Sequence, residues 1–361
     1  PAHLQGMHGG GGKGCPRALR VHRVDLRRGH INGLLVRHHQ RAMPPARDER
    51  HAWASGQDRT AQGIGVFGFV MGYLEGRRAT EALAAGLCAS FVLASGVTKS
   101  VGSYLLAWGI SEFWMPFFAG LLFAPPLLVF VWMLTRIPLP DHADTAARSE
   151  RSTMTRAERW GFFRKYGWGL TAIIGFYVLL TILRSLRDDF APEIWRDLGY
   201  SGQPAIFAQS ELLVMLGVVC ANGSLVLLRD NRRAFFAGLG ISFLGLCLAG
   251  GALLGLALQL LDPFMFMVLL GLGFYLPYIA VHTTIFERLL AVVRDKGNLG
   301  FLMYLADSFG YLGYVVVIVA KNFLPKSDGF LSFFTISAGW LVAASAGFVL
   351  LSWLYFARRD R

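Results

Sequence analysis

PFMFMVLLGLGFYLPYIAVHTTIFERLLAVVRDKGNLGFLMYLADSFGYLGYVVVIVAKN, residues Pro263 to Asn322, decides the fold. Two apolar runs flank a short basic loop, Arg294-Asp295-Lys296-Gly297-Asn298. Each run exceeds 20 residues, enough to cross ~30 Å of hydrocarbon at ~1.5 Å per residue. Each carries an ionisable group inside: His282 in the first, Asp307 in the second. A charge near the bilayer centre costs at least ~2.5–3.5 kcal/mol. Such side chains are expected to face a protein interior or a water-filled path. The hairpin reads as part of a polytopic membrane protein with a polar route through it.

Composition agrees. Of 361 residues 54% are apolar and 16% charged, too apolar for an ordinary soluble domain. The 42 glycines suit helices that approach closely in a membrane. Net charge is +12, which raises a nucleic-acid partner as a question. Its distribution argues against one. Residues 1–62 hold 11 Lys/Arg and 4 Asp/Glu, so +7 lies there, and the rest falls mostly in short loops between apolar runs. Cys15, Cys88, Cys220 and Cys247 have no metal-ligand spacing, and the last three lie in apolar runs, where packing is their expected role. Gly271-Leu272-Gly273 sits inside a span with no strand before it, so it is not a dinucleotide loop. No Walker motif, metal cluster or nucleophile elbow appears. Neither an enzyme nor a cofactor or metal is expected.

Residues 1–62 contrast with the rest of the chain. They contain seven of the nine histidines and a single aromatic, Trp53, with no helical or strand period. One reading is a disordered basic tail. The reading preferred here is an out-of-frame or mis-assigned start, because the chain begins with Pro1 and its composition changes abruptly near Gly63. Gly63 to Leu74 (GIGVFGFVMGYL) is a partial span of 12 residues. Full spans are expected at about 79–106, 112–135, 165–184, 205–228, 234–260, 263–290, 299–322 and 330–356. A mixed-charge linker, residues 136–164, separates residues 63–135 from residues 165–361.

Placing that linker in the cytoplasm puts 18 Lys/Arg on the cytoplasmic side. The outer side then holds five: Arg184, Arg187, Arg196, Lys321 and Lys326. This is the positive-inside asymmetry, with the C-terminus cytoplasmic.

Six spans after a cytoplasmic linker resemble the second half of a major facilitator superfamily transporter. The strings YLEGRRATEALAAGL (Tyr73–Leu87), SEFWMPF (Ser111–Phe117), LRDDFAPEIW (Leu186–Trp195) and FLMYLADSFGYLGY (Phe301–Tyr314) resemble an uncharacterised bacterial family of facilitator-like membrane proteins. The resemblance spans about Gly63 to Phe356 and implies an all-α facilitator-type bundle. Residues 165–361 would form the complete C-terminal six-helix bundle, and residues 63–135 the remnant of a truncated N-terminal bundle. It also implies residence in the bacterial inner membrane.

Three polar stripes are candidates for a substrate or proton path. Tyr304, Asp307, Tyr311 and Tyr314 recur at spacings of 3, 4 and 3, one helix face. They form either a substrate wall, with Asp307 as proton or cation site, or a helix contact in which Asp307 pairs with a buried cation. Tyr275, Tyr278 and His282 form a second stripe, bent by Pro277. Histidine changes charge near neutral pH, so His282 is either a proton site or a satisfied packing residue. Tyr177, Thr181, Arg184 and Asp188 form the third. Arg184 either snorkels, binds an anionic group or closes the outer gate. The segment 188–198 reads as a short helix with Pro192 near its start, either interfacial with Trp195 as anchor or, the preferred reading, a structural lid.

Lys99 and Glu211 lie within spans that meet across the two bundles in the facilitator fold, so they are expected to pair in one transport state. Glu75, Arg77 and Arg78 read as a cytoplasmic inter-helix clamp. The leading expectation is a secondary transporter of a small polar solute, with proton coupling and lipid as its surroundings. The rival expectations are a non-transporting membrane scaffold or sensor, or a defective fragment.

Overall fold

The structure, a computed structural model, describes residues 80–137, 155–225, 227–293, 299–321 and 330–359. All lie within the unit Phe67–Arg361. The expected segments 1–62 and 63–79 and most of the linker lie outside them.

The described chain is all helical. Its elements are α1 (Thr80–Ala107), α2 (Met115–Thr135), α3 (Arg156–Asp189), α4 (Ala191–Asp197), α5 (Ile206–Leu225), α6 (Asn231–Ala257), α7 (Pro263–Ala280), a π-helical turn (Val281–Ile285), α8 (Phe286–Val293), α9 (Leu299–Lys321) and α10 (Phe330–Arg359). Among the described residues eight spans are long and apolar enough to cross a membrane, with α7, the π turn and α8 forming one of them. The protein is a multi-pass membrane protein. Span ends agree with hydropathy to within three residues everywhere except at α3.

Helix α3 starts nine residues earlier than hydropathy suggests, inside the expected linker. The cause is a capping box: the Glu158 amide donates to Thr155 Oγ1 at 3.3 Å, and the Thr155 amide donates to Glu158 Oε2 at 2.8 Å. With 34 residues the helix is about 51 Å long, more than the bilayer core requires. Its first turns therefore carry Arg156, Arg159 and Arg164 beyond the apolar layer.

Helix α3 is also the hub of the bundle. It packs against α7, α9 and α10, and α10 in turn packs on α6. Its residues Ile173, Phe176, Leu180 and Leu183 are all fully buried. Of its apolar window 72% is buried, against 6% for α2. α2 packs on α1 and presents Leu121, Leu128, Phe130 and Trp132 outward, the all-round apolar surface of a lipid-facing helix. α1 joins the rest chiefly through α5, and α5 lies along α7.

The short helix α4 appears where expected, with Pro192 in its first turn. Trp195 is not an interface anchor, however. It is 2% exposed and packs against Tyr200 and Phe264, ring centroids 5.4 and 6.1 Å away. The helix folds back over the bundle, so its tryptophan fills the space between helix ends.

Helices α6 and α7 approach closely, through small residues. A Cβ on Gly273 would lie 2.6 Å from Ala249 Cβ and 2.8 Å from the Gly245 carbonyl oxygen. Backbone stands there, so nothing flexible can yield. Gly273→Leu should lower stability by about 1–3 kcal/mol or block assembly, read as a lower melting temperature in detergent. Gly251→Ala, which meets open space, should change it little.

Candidate functional site

The three polar stripes converge inside the bundle. Tyr177 comes from the middle of α3 and is fully buried. Tyr278 comes from α7, one residue past Pro277. His282 lies in the π turn, and Asp307 in the first half of α9. Proline cannot donate to the helix ladder, and a π turn inserts extra backbone per turn. Together they rotate His282 relative to a regular continuation of α7. Such interruptions inside a membrane helix are tolerated where neighbouring protein satisfies the backbone.

The Tyr177 hydroxyl stands 2.8 Å from His282 Nε2 and donates to Asp307 Oδ1. His282 Nε2 is itself 3.7 Å from that oxygen. A hydroxyl has one proton to donate. With that proton on Asp307, its oxygen accepts from the imidazole, which assigns the proton of His282 to Nε2. The result is a relay, His282 to Tyr177 to Asp307. The histidine side chain is 8% exposed and the aspartate 36%, so the relay runs from a buried end to a more open one.

Tyr278 organises the aromatic side of this cluster. Its ring stacks on Tyr177 at 5.4 Å with 19° between the planes, and lies 4.9 Å from the His282 ring. Arg184 does not snorkel to solvent. Its guanidinium carbon stands 4.8 Å over the Tyr278 ring, a cation–π contact. Tyr275 meets Tyr278 edge-on and packs with Cys88 and Val92. Tyr304 and Tyr311 flank Asp307 on α9 and are 38% and 51% exposed. Tyr314, on the same face, donates to Asp189 at the end of α3. Thr181 is fully buried, donates to the Tyr177 carbonyl at 2.9 Å and seats against Gly310. It therefore belongs to the α3–α9 contact rather than to an open wall.

In this conformation Lys99 and Glu211 take other partners. Lys99 binds Asp188 and Ser95, and Ser95 also donates to Asp188. Glu211 instead holds Arg187, with Nη1 2.7 Å from Oε1. The helices do meet where expected. The lower carbons of Glu211 pack over Gly96, one turn before Lys99. The carboxylate turns away because a second, deeper cation needs it. Arg187 is 2% exposed, and its Nη2 also donates to the Met267 carbonyl at 3.0 Å. Gly271 leaves the room, since a Cβ there would stand 2.7 Å from Nη2.

Hydropathy makes Arg187 an outer-loop charge, and the helix carries it inside. A signal exists in the chain: Ile173, Phe176, Leu180, Leu183 and Arg187 recur at 3 and 4, so the arginine continues the buried stripe. Glu75, Arg77 and Arg78 lie outside the described residues.

Residues 62–359 match the model of a family described as a family of unknown function (DUF5690), and the chain belongs to that family. No curated protein matches it.

Breaking the Arg187–Glu211 pair should be costly, because one charge is left buried. Glu211→Gln should destabilise by about 3–5 kcal/mol. The double change Arg187→Met with Glu211→Leu should recover most of the loss. Unfolding midpoints in detergent test this. Equal losses in the single and double variants would refute it.

Proposed function

We propose that this member of a family of unknown function is a secondary transporter. It moves a small polar solute through a bacterial inner membrane by alternating access, coupled to protons. The observation that carries this reading is the His282–Tyr177–Asp307 relay. It is built from three helices within the spans, beside a Pro- and π-interrupted segment, and is partly open at Asp307. Ionisable residues at such depth mark solute or proton paths. Interrupted helices line the central sites of transporters.

The Ser95–Lys99–Asp188 cluster supports the same reading. It ties α1, which lies before the linker, to α3, which lies after it. In a transporter of the facilitator kind these would be different bundles, and the cluster would close one face of the path. The charge asymmetry of the loops argues for that face outside and the C-terminus in the cytoplasm.

One observation favours the rival scaffold reading: the most buried of the described cations, Arg187, is already paired with Glu211. Function separates the two. Reconstituted into vesicles containing a pH dye, the wild type should carry protons inward with one class of small solute. Asp307→Asn should reduce that proton movement to the level of empty vesicles while the protein stays membrane-inserted. Unchanged coupled flux in this variant would remove Asp307 from the mechanism. No protein-dependent flux with anionic, neutral or cationic solutes would favour the scaffold.

Topology gives a second test. In a cysteine-free background and intact cells, Arg358→Cys should resist an impermeant thiol reagent and Lys326→Cys should react. The reverse pattern would invert the proposed orientation.

A further inference from the structure

Three cations gather toward the C-terminal end of α3: Lys99 from α1, and Arg184 and Arg187 from α3 itself. Two are matched by carboxylates, Lys99 by Asp188 and Arg187 by Glu211. Arg184 makes no ion pair among the described residues. Its guanidinium rests on the Tyr278 ring face, and its Nε is buried with no hydrogen-bond partner. A guanidinium presents five N–H donors in a planar fork, and a ring face satisfies its charge without satisfying that fork. The residue as a whole is half-buried.

Resting on the transporter reading above, we propose that the solute carries an oxyanion, a carboxylate or a phosphate, held by the Arg184 fork, and that each anion travels with one proton. The fork matches two oxygens of either group. Tyr177, Tyr275, Tyr278 and Tyr311 are the electrostatic neighbours of the guanidinium. They offer ring faces for an apolar part of the solute.

The proton follows from the charge count. Lys99, Arg184 and Arg187 are balanced by Asp188, Glu211 and Asp307 when all six are ionised. Asp189 lies at the exposed end of α3, with its carboxylate on Tyr314. An added monoanion leaves one uncompensated negative charge among these partly buried groups, which is unfavourable. Asp307 is the one carboxylate of the three whose described partners include no Lys or Arg. The groups facing it are Tyr177 from α3, Tyr278 and His282 from α7 and the π turn, Cys88 from α1, and Tyr304 on its own helix.

A proton taken up by the His282–Tyr177–Asp307 relay restores the balance. Arg184 lies seven residues beyond Tyr177, about 10 Å along the helix. Anion and proton therefore occupy separate places, joined through Tyr278, which touches both Tyr177 and Arg184.

The test is equilibrium binding to the full chain in detergent, which needs no transport. The probes are benzoate, inorganic phosphate, benzamide and benzylammonium, each in mildly acidic and mildly alkaline buffer. Benzoate or phosphate should bind the wild type, and more tightly in acid. Arg184→Gln should weaken that binding by about 10- to 100-fold. Arg184→Lys, which keeps the charge and loses the fork, should recover only part. Asp307→Asn should bind benzoate, which stays a monoanion across this range, without pH dependence.

If both anions bind, competition by each against the other tells a carboxylate site from a phosphate site that shares the fork. Preference for benzamide or benzylammonium would overturn the proposal. So would anion binding unchanged in Arg184→Gln, or no binding of either anion. In vesicles, uptake of the bound anion should be driven by an inward proton gradient and be indifferent to a clamped membrane potential. Potential-driven uptake would refute the one-proton count. Anion binding without any flux would count against the transporter reading and leave the anion site standing. Coupled flux of a neutral or cationic solute would do the opposite.

Discussion

A charge taken out of water must find an opposite charge or a full set of hydrogen bonds, and this bundle is arranged around that requirement. The C-terminal end of α3 carries Arg184, Arg187, Asp188 and Asp189 within six residues. Three neighbouring helices answer it. Glu211 on α5 and the Met267 carbonyl on α7 take Arg187, and Lys99 on α1 takes Asp188. These contacts fix which face of each helix turns inward. They also explain why glycines stand at 96 and 271, where a side chain would collide with Glu211 or Arg187. The pairs cost more in desolvation than an apolar filling would. What they give in return is register: α1, α5 and α7 each fit α3 in one way.

The relay at the centre follows the same logic with weaker groups. Tyr177 has no cation beside its hydroxyl but a carboxylate and an imidazole, both able to change protonation. Its ring is clamped by Tyr278, so the hydroxyl has little freedom to leave them. The polar path and the charge pairs thus lie on one helix. The fixed pairs sit near one end of it and the titratable groups near its middle.

Much of this is legible in the chain. All eight spans are readable because hydropathy over some 20 residues is a direct measure of what a bilayer accepts. The stripes Tyr177–Arg184, Tyr275–His282 and Tyr304–Tyr314 are readable because a helix repeats its face every three or four residues. Their convergence is not, since the rotation of one helix about another is set by packing. Neither is the choice of partner for Lys99, which depends on an arginine that looks like a loop charge. The π turn has no sequence signature of its own. The early start of α3 does: Thr155 and Glu158 spell a capping box. Hydropathy hides it, because those first turns stand outside the apolar layer.

The charged end of α3 also bears on how the protein is made. A helix entering the membrane from the ribosome is judged first by its own residues, and each charge counts against it, by up to about 2.5–3.5 kcal/mol at the helix centre and less toward an end. The anion for Arg187 lies 24 residues downstream, and the Met267 carbonyl 80 residues downstream. Until α5 and α7 have been synthesised, α3 has no complete setting for its arginine. Its final depth and rotation are therefore decided late, after most of the bundle has emerged. α2, with no charged residue between Met115 and Thr135, is free to enter the lipid at once and on its own.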